Sequence, residues 1–230
     1  MANIQTQCLD CVDKSTCFQQ LNTHELSLTT ESKVQVTYKK GETIAKQGSF
    51  VTHILYVRKG TVKVYKEIED GTNIIYNVLP AGSLIGLSAL FFSETFQYSM
   101  AALNDSKICA IDKKVIENLF RDNSNFSVNV ITILNEEILH LRNKMISLTR
   151  KQMAGRLADS LLHLKNKVYN SGQFRMTLSR KELAEFSGMS TMSVVRTLQM
   201  FIKKGIIGEE SGIMEVINGE ELESLSQISG

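Results

Sequence analysis

The stretch from Phe126 to Leu148, FSVNVITILNEEILHLRNKMISL, constrains this chain more than any other. Ile131, Leu134, Ile138, Leu141, Met145 and Leu148 recur at alternating spacings of three and four. That is the a/d seam of a heptad repeat, which closes against a second helix. Asn135, Glu136, Glu137, Arg142, Asn143 and Lys144 fill the other faces with groups that suit water. A helix of this length runs roughly 35 Å. An amphipathic helix lying on its own domain carries a wider apolar stripe. The narrow seam therefore favours a dimerisation helix and a homodimer, with an ordinary core helix as the alternative. The residues before this helix have one texture, and those after it have another.

Upstream, short β-branched or aromatic runs occur at Val34–Tyr38, Ile54–Val57, Val62–Tyr65 and Ile74–Leu79, with an interrupted run over Ser99–Ile111. Gly48, Gly60, Gly71 and Gly82 punctuate them at near-regular intervals, the rhythm of an all-β sandwich or barrel. Asp70-Gly71 is a hairpin turn between two of the runs. A short helix is expected from Lys113 to Arg121. Downstream, Leu157, Leu161, Leu162 and Leu164 predict a helix over 153–168, closed by Asn170-Ser171-Gly172.

The most specific motif is LSRKELAEFSGMSTMSVVRTLQMFIKKG. Ser179 and Glu182 form a capping box that opens one helix. Gly188 supplies a tight turn, and Ser190 caps a second helix that reaches about Lys203. Ala184, Gly188 and Val194 have the small, turning and packing roles of a helix-turn-helix, whose second helix enters the DNA major groove. Ile206–Ile207 and Ile213–Ile217 read as a two-stranded wing. Residues 142–204 carry 13 Lys/Arg against 3 Asp/Glu, which leaves 13 against 21 elsewhere. A polyanion is attracted to that segment and repelled by the rest. Ser190, Thr191, Met192, Ser193 and Arg196 are the candidate base readers. Arg196 has a fork that matches guanine O6 and N7, with a phosphate contact as its other reading. Arg175, Arg180, Lys181, Lys203 and Lys204 are candidate phosphate contacts. Double-stranded DNA is the expected partner.

Residues 1–30 are polar with little periodicity beyond Leu21, Leu26 and Leu28, and they hold Cys8, Cys11 and Cys17. Three thiols on a short segment can wrap one metal centre, but they are one ligand short of a closed zinc site or a four-cysteine cluster. Cys109, in Ile108-Cys109-Ala110-Ile111, reads by itself as a small buried hydrophobe. The start MANIQTQCLD lacks a basic region followed by an apolar core, and no apolar run is long enough to span a bilayer. A cytoplasmic protein with no membrane association is expected, in a reducing compartment where clustered cysteines bind metal or do redox work. No P-loop, dinucleotide fingerprint or nucleophile–base constellation is present, and the histidines stand apart at 24, 53, 140 and 163. No enzyme is expected.

This arrangement resembles the CRP/FNR family of bacterial transcription regulators over nearly the whole chain. Gly41-Glu42, Gln47-Gly48, Gly60 and Gly82 to Gly86 are similar to the glycine pattern of the family's cyclic-nucleotide-type β-roll. The resemblance implies an α+β fold with four parts: a cysteine-bearing segment (1–30), a β-roll sensor (31–121), a dimerisation helix (122–149) and a winged helix-turn-helix (150–230). The cysteine spacing resembles the oxygen-sensing FNR branch, whose four thiolates hold a [4Fe–4S] cluster. That likeness makes Cys109 the fourth ligand beside Cys8, Cys11 and Cys17. It further implies activity as a homodimer at low oxygen, with RNA polymerase as a partner.

Two departures stand out. Leu87 follows Gly86, and Tyr98-Ser99 stands where the family's cyclic-AMP binders have Arg-Ser, so cyclic AMP is not expected. Met192 replaces the glutamate usual in the branch's recognition helix. The alternatives are a regulator with a zinc site completed by His24 or Cys109, and a regulator of nitric oxide or of another β-roll ligand with structural cysteines. An iron–sulfur electron carrier would have no use for a helix-turn-helix.

Overall fold

The computed structural model describes residues 16–69 and 71–227. Cys8, Cys11 and Asp70 lie outside them. The described residues pack as two compact units, one drawn from residues up to Val62 together with Leu79–Leu139, the other from Lys63–Val78 together with the described residues from His140 onward. These units cut across the domain limits expected from sequence, because residues 63–78 group with the C-terminal part.

The first unit opens with α1 (Thr16–Gln19) and α2 (Thr23–Glu31). No regular structure is expected for this segment from its sequence. Yet α2 has a capping box: Asn22 Oδ1 accepts from Glu25 N at 3.0 Å and Glu25 Oε2 accepts from Asn22 N at 2.8 Å. β1 (Lys33–Tyr38), β3 (His53–Lys59), β6 (Leu84–Ile85) and β8 (Ser106–Asp112) form an antiparallel sheet in the order β1-β8-β3-β6. β2 (Thr43–Ala45) and β7 (Ser99–Ala102) pair antiparallel in a second sheet; β4 (Thr61–Glu67) and β5 (Asn73–Pro80) are strands whose residues fall mostly in the second unit. The expected runs all become strands, while β2 and β6 are too short to have shown a period.

Gly60 has φ +96°, and a Cβ there would lie 2.8 Å from Ser106 Cα, so both conformation and space demand glycine. α3 (Lys113–Asp122) starts at Asp112, whose Oδ1 accepts from Lys114 N at 2.7 Å. α4 (Ser124–Arg150) comes next and buries Phe126 and Val130 completely in this unit.

In the second unit, Ile68 N donates to Thr72 O at 2.9 Å and closes the expected hairpin around Gly71. After α4 come α5 (Met153–His163) and a π-helical turn over Leu164–Tyr169. Asn170 then ends the run in the left-handed region at φ 47°. Leu157, Leu161 and Leu164 are fully buried. α6 (Arg180–Ser187) and α7 (Thr191–Lys203) make the helix-turn-helix. The wing is three-stranded rather than two-stranded: β10 (Ile207–Glu210) and β11 (Ile213–Val216) are joined by β9 (Gln173–Arg175) in the order β10-β11-β9. β9 is held by the Met214–Phe174 register, and three residues offered no alternation to read. α8 (Gly219–Gln227), also unforeseen, buries Leu222.

Gly60→Ala should lower the stability of the first unit by about 2–3 kcal/mol, because strained backbone and contact with Ser106 add. Urea unfolding should show a lower midpoint at unchanged slope. An unchanged midpoint would mean that the turn yields freely.

Candidate nucleic-acid interface and candidate metal centre

The reader is assembled by local chemistry. Ser179 Oγ accepts from Glu182 N at 3.2 Å and Glu182 Oε2 accepts from Ser179 N at 2.8 Å, so the expected capping box is present. Glu182 also takes an ion pair from Lys63 at 2.9 Å, which fastens the β4–β5 hairpin to α6. That contact, together with hydrogen bonds from Ser179, holds the Glu182 carboxyl below its ordinary value even though burial opposes it. Gly188 turns the chain at φ +66°, and a Cβ there would fall 2.2 Å from Leu148 Cδ2. Leu148, expected in the α4 seam, therefore packs on the turn of the reader.

Ser190 caps α7, with its Oγ accepting from Ser193 N at 3.1 Å and lying 2.9 Å from Ser193 Oγ. Thr191, Met192 and Arg196 are exposed along one side of the α7 N-terminal half, while Val194, Leu198 and Phe201 are buried on the other. Arg175, Lys181, Lys203 and Lys204 are exposed. Arg180 is engaged in an ion pair with Glu209 of the wing. Of the remaining seam positions, Ile131, Ile138, Leu141 and Met145 are exposed in the single chain and Leu134 is half-buried. Val128, Leu139 and Ile146 add exposed apolar surface to the same helix.

Cys17 and Cys109 lie in the first unit. Cys17 is fully buried and Cys109 is 4% exposed. Cys109 stands opposite Tyr56 on β3 and Gln35 on β1, so the three side chains share one face of the sheet. Phe18, next to Cys17, sets its ring edge-on to Tyr56 at 5.4 Å and packs near Phe126 of α4 at 6.2 Å. The Cys17–Phe18 step is thus laid over the face that carries Cys109. Burial pushes the Cys17 thiol up to about 11. A dry site is one where a soft metal centre stabilises thiolates that would otherwise stay protonated. His24 is exposed on α2. Among the described residues no three metal-ligating side chains converge, and Cys8 and Cys11 lie outside them.

In the β-roll, the Tyr98 phenol is hydrogen-bonded at the backbone of Gly86 and the hydroxyl of Ser88. Desolvation and the nearby charge of Glu137 push it up to about 12. It thus satisfies polar groups at the Gly86 turn from within the chain. Sequence reasoning missed a third group: His140, Lys144 and His163 converge in the second unit with Phe186 of α6. His140 and His163 are 23 positions apart in the sequence, and no motif joins them.

Comparison with known proteins agrees with this architecture. Residues 35–123 match the cyclic nucleotide-binding domain and residues 155–225 the Crp-like helix-turn-helix domain. The chain is 26% identical over 225 residues to electron transport regulator A of Shewanella oneidensis, covering 95% of this chain and 90% of that protein. It is 25% identical over the same length, with the same coverage, to the fumarate and nitrate reduction regulatory protein of Escherichia coli K12. Among solved structures, FixK2 from Bradyrhizobium japonicum superposes with a TM-score of 0.79 at 20% identity, covering 86% of this chain and 99% of that one. A nucleotide-type β-roll, a long helix and a Crp-like reader in one chain, matched by regulators along nearly its full length, place this protein among the DNA-binding transcription regulators of the CRP/FNR family.

Proposed function

We propose that this regulator is controlled by an oxygen-labile [4Fe–4S] cluster held by Cys8, Cys11, Cys17 and Cys109, and that it acts as a homodimer on a two-fold DNA site when oxygen is low. The observation that carries this reading is the seating of Phe18 on Tyr56, the register partner of Cys109. It brings Cys17, the last of the three N-terminal cysteines, toward the sheet face on which Cys109 lies buried. When bound, the cluster would supply the oxygen-sensitive redox chemistry. The chain's own residues do the rest. Cys17 and Cys109 present sulfur in a water-poor site, Phe18 covers it, and Phe126 links it to the first turns of α4. The names of the relatives, which speak of electron transport and of fumarate and nitrate reduction, accord with control by respiratory conditions. RNA polymerase is the partner expected of a regulator at a promoter.

Cyclic AMP does not fit this reading. Tyr98 offers no positive charge for a phosphate, and its hydroxyl already engages Gly86 and Ser88. Zinc through His24 is less well supported, since His24 points to solvent on α2.

Protein purified without air should be brown and contain about four iron and four sulfide per chain. Cys109→Ser should remove the colour and the specific DNA binding together. A colourless, zinc-bearing protein, or a Cys109→Ser variant that binds its operator as well as the wild type, would refute the cluster. For the reader, Arg196→Ala should cost about 1–3 kcal/mol on the specific site and relax preference at one base pair. Lys203→Ala should instead weaken all DNA alike and lower the salt slope by about 0.9. Equal losses on specific and random DNA for Arg196→Ala would remove it from base reading. Ile138→Glu should give a monomer by sedimentation at micromolar concentration, since it places a charge in the α4 seam.

A further inference from the structure

The convergence of His140, Lys144 and His163 serves neither the reading of DNA nor the proposed cluster. The rings of His140 and His163 lie 4.3 Å apart, and Lys144 Nζ stands 3.9 Å from the Phe186 ring centroid. These side chains line a cavity of about 350 Å³ whose wall also carries Lys151, Arg156 and Asp159. Five of its side chains are cationic or can become so, against one carboxylate. That carboxylate is already committed: Asp159 takes an ion pair from Lys151 at 2.9 Å and accepts from the hydroxyls of Ser147 and Ser226.

Of the acids of α6, neither of which lines the cavity, Glu182 pairs with Lys63 at 2.9 Å, while Glu185 has a long contact of 3.9 Å to Lys181 and keeps Oε2 buried without a hydrogen-bond partner among the described residues. From the hairpin, Lys144 receives only carbonyls, donating to Ile75 O at 2.6 Å and Tyr76 O at 3.3 Å. His140 Nε2 lies 3.1 Å from Tyr76 O. His163 Nε2 is buried without a hydrogen-bond partner among the described residues. Arg156 spends Nε on Lys151 O at 2.9 Å and Nη1 on Gly188 O at 3.4 Å, which leaves further donors of its five N–H groups.

The electrostatics agree. Desolvation lowers Lys144 to about 7. Desolvation, with repulsion from His140, Lys144 and Lys167, lowers His163 to about 3. His140 is also lowered, by desolvation first and then by Lys144. Cationic groups lose protons in a partly dry space when no counter-charge answers them.

We propose that this cavity is a binding site for a small organic oxyanion, a carboxylate or a phosphate ester, received by Lys144, Arg156 and His163 Nε2. Its place explains what it would do. Arg156 holds the carbonyl of Gly188, Phe186 belongs to the first reader helix, and Lys144 lies within the last two turns of α4. An anion that draws these three together braces the turn of the reader against the last turns of α4, within the second unit. Binding restores the charge on Lys144. Its pKa rises in the complex, so above about pH 7 the protein takes up a proton as the anion enters, and affinity falls as pH rises.

The test is calorimetric titration of the full-length protein with succinate and with glycerol 3-phosphate, using glycerol as the neutral control. At least one anion should bind one-to-one at pH 7, about tenfold more tightly than at pH 8.5. Heats that change with the ionisation enthalpy of the buffer would report the proton uptake. Which probe binds decides between a carboxylate and a phosphate source. Lys144→Gln should abolish binding and His163→Asn should weaken it, while Arg196→Ala should leave it intact. Three results would overturn the proposal: no binding of either anion below about 10 mM, an affinity independent of pH, or loss in Arg196→Ala, which would assign the anion to the DNA-facing surface. Should Lys144→Gln fail to fold, His163→Asn and the pH dependence of the wild type decide the matter.

Discussion

Each half-exposed isoleucine or leucine forgoes on the order of 1 kcal/mol relative to full burial, and α4 carries Ile131, Ile138, Leu139, Leu141, Met145 and Ile146 at 41–62% exposure. In the proposed homodimer both copies would bury this stripe, for a gross gain of roughly 10 kcal/mol. Association itself costs an estimated 4–15 kcal/mol. The two quantities are of one size, so pairing through α4 alone is poised rather than assured. A regulator needs that condition. A switch can act only on an equilibrium that a few kcal/mol will move.

Both ends of α4 are pinned by side chains of its own chain. At its start, Phe126 is fully buried and meets Phe18, the neighbour of Cys17. At its end, Leu148 fills the space that Gly188 leaves empty, and Ser147 donates to Asp159 of α5. The apolar seam therefore runs between two contacts of different kinds, one beside the cysteine face and one at the turn of the reader. Leu148 would be withdrawn from pairing by its contact with Gly188, so the seam proper ends near Met145.

Local rules made much of this legible. The capping box at Ser179, the positive φ at Gly188, the cap at Ser190 and the strand rhythm of the β-roll depend on neighbours within a few residues, and each is found where the residues place it. The same rule was available for α2, since Asn22 and Glu25 form a capping box, but the segment's low apolar content hid it. β9 and β6 escaped because two or three residues carry no period. The cluster of His140, Lys144 and His163 escaped for a deeper reason. Its members are joined by the packing of α4, α5 and α6 with a hairpin more than sixty positions upstream, and no spacing along the chain encodes that meeting. The cysteines are intermediate: their number suggested a shared centre, while the facing of Cys109 and Tyr56 needed the register of β3 against β8.

Among the charges proposed to face DNA, Arg180 shows how magnitude decides between competing partners. Arg180 pairs with Glu209 of the wing, and the two side chains are 34% and 23% exposed. An ion pair open to solvent to that degree contributes about 0–1 kcal/mol. A phosphate contact draws on counterion release as well as charge, and it grows stronger as salt falls. On a duplex the phosphate should win, so the pair need not remove Arg180 from the positively charged surface. In the absence of DNA it holds Glu209 against α6 and keeps the wing in register with the helix-turn-helix. Exchange of Glu209 for a phosphate would also leave an acidic side chain near the backbone of the nucleic acid. If Arg180 takes the phosphate contact proposed for it, that repulsion would penalise docking in which Arg180 is not fully engaged, while the pair itself supports the reader at rest.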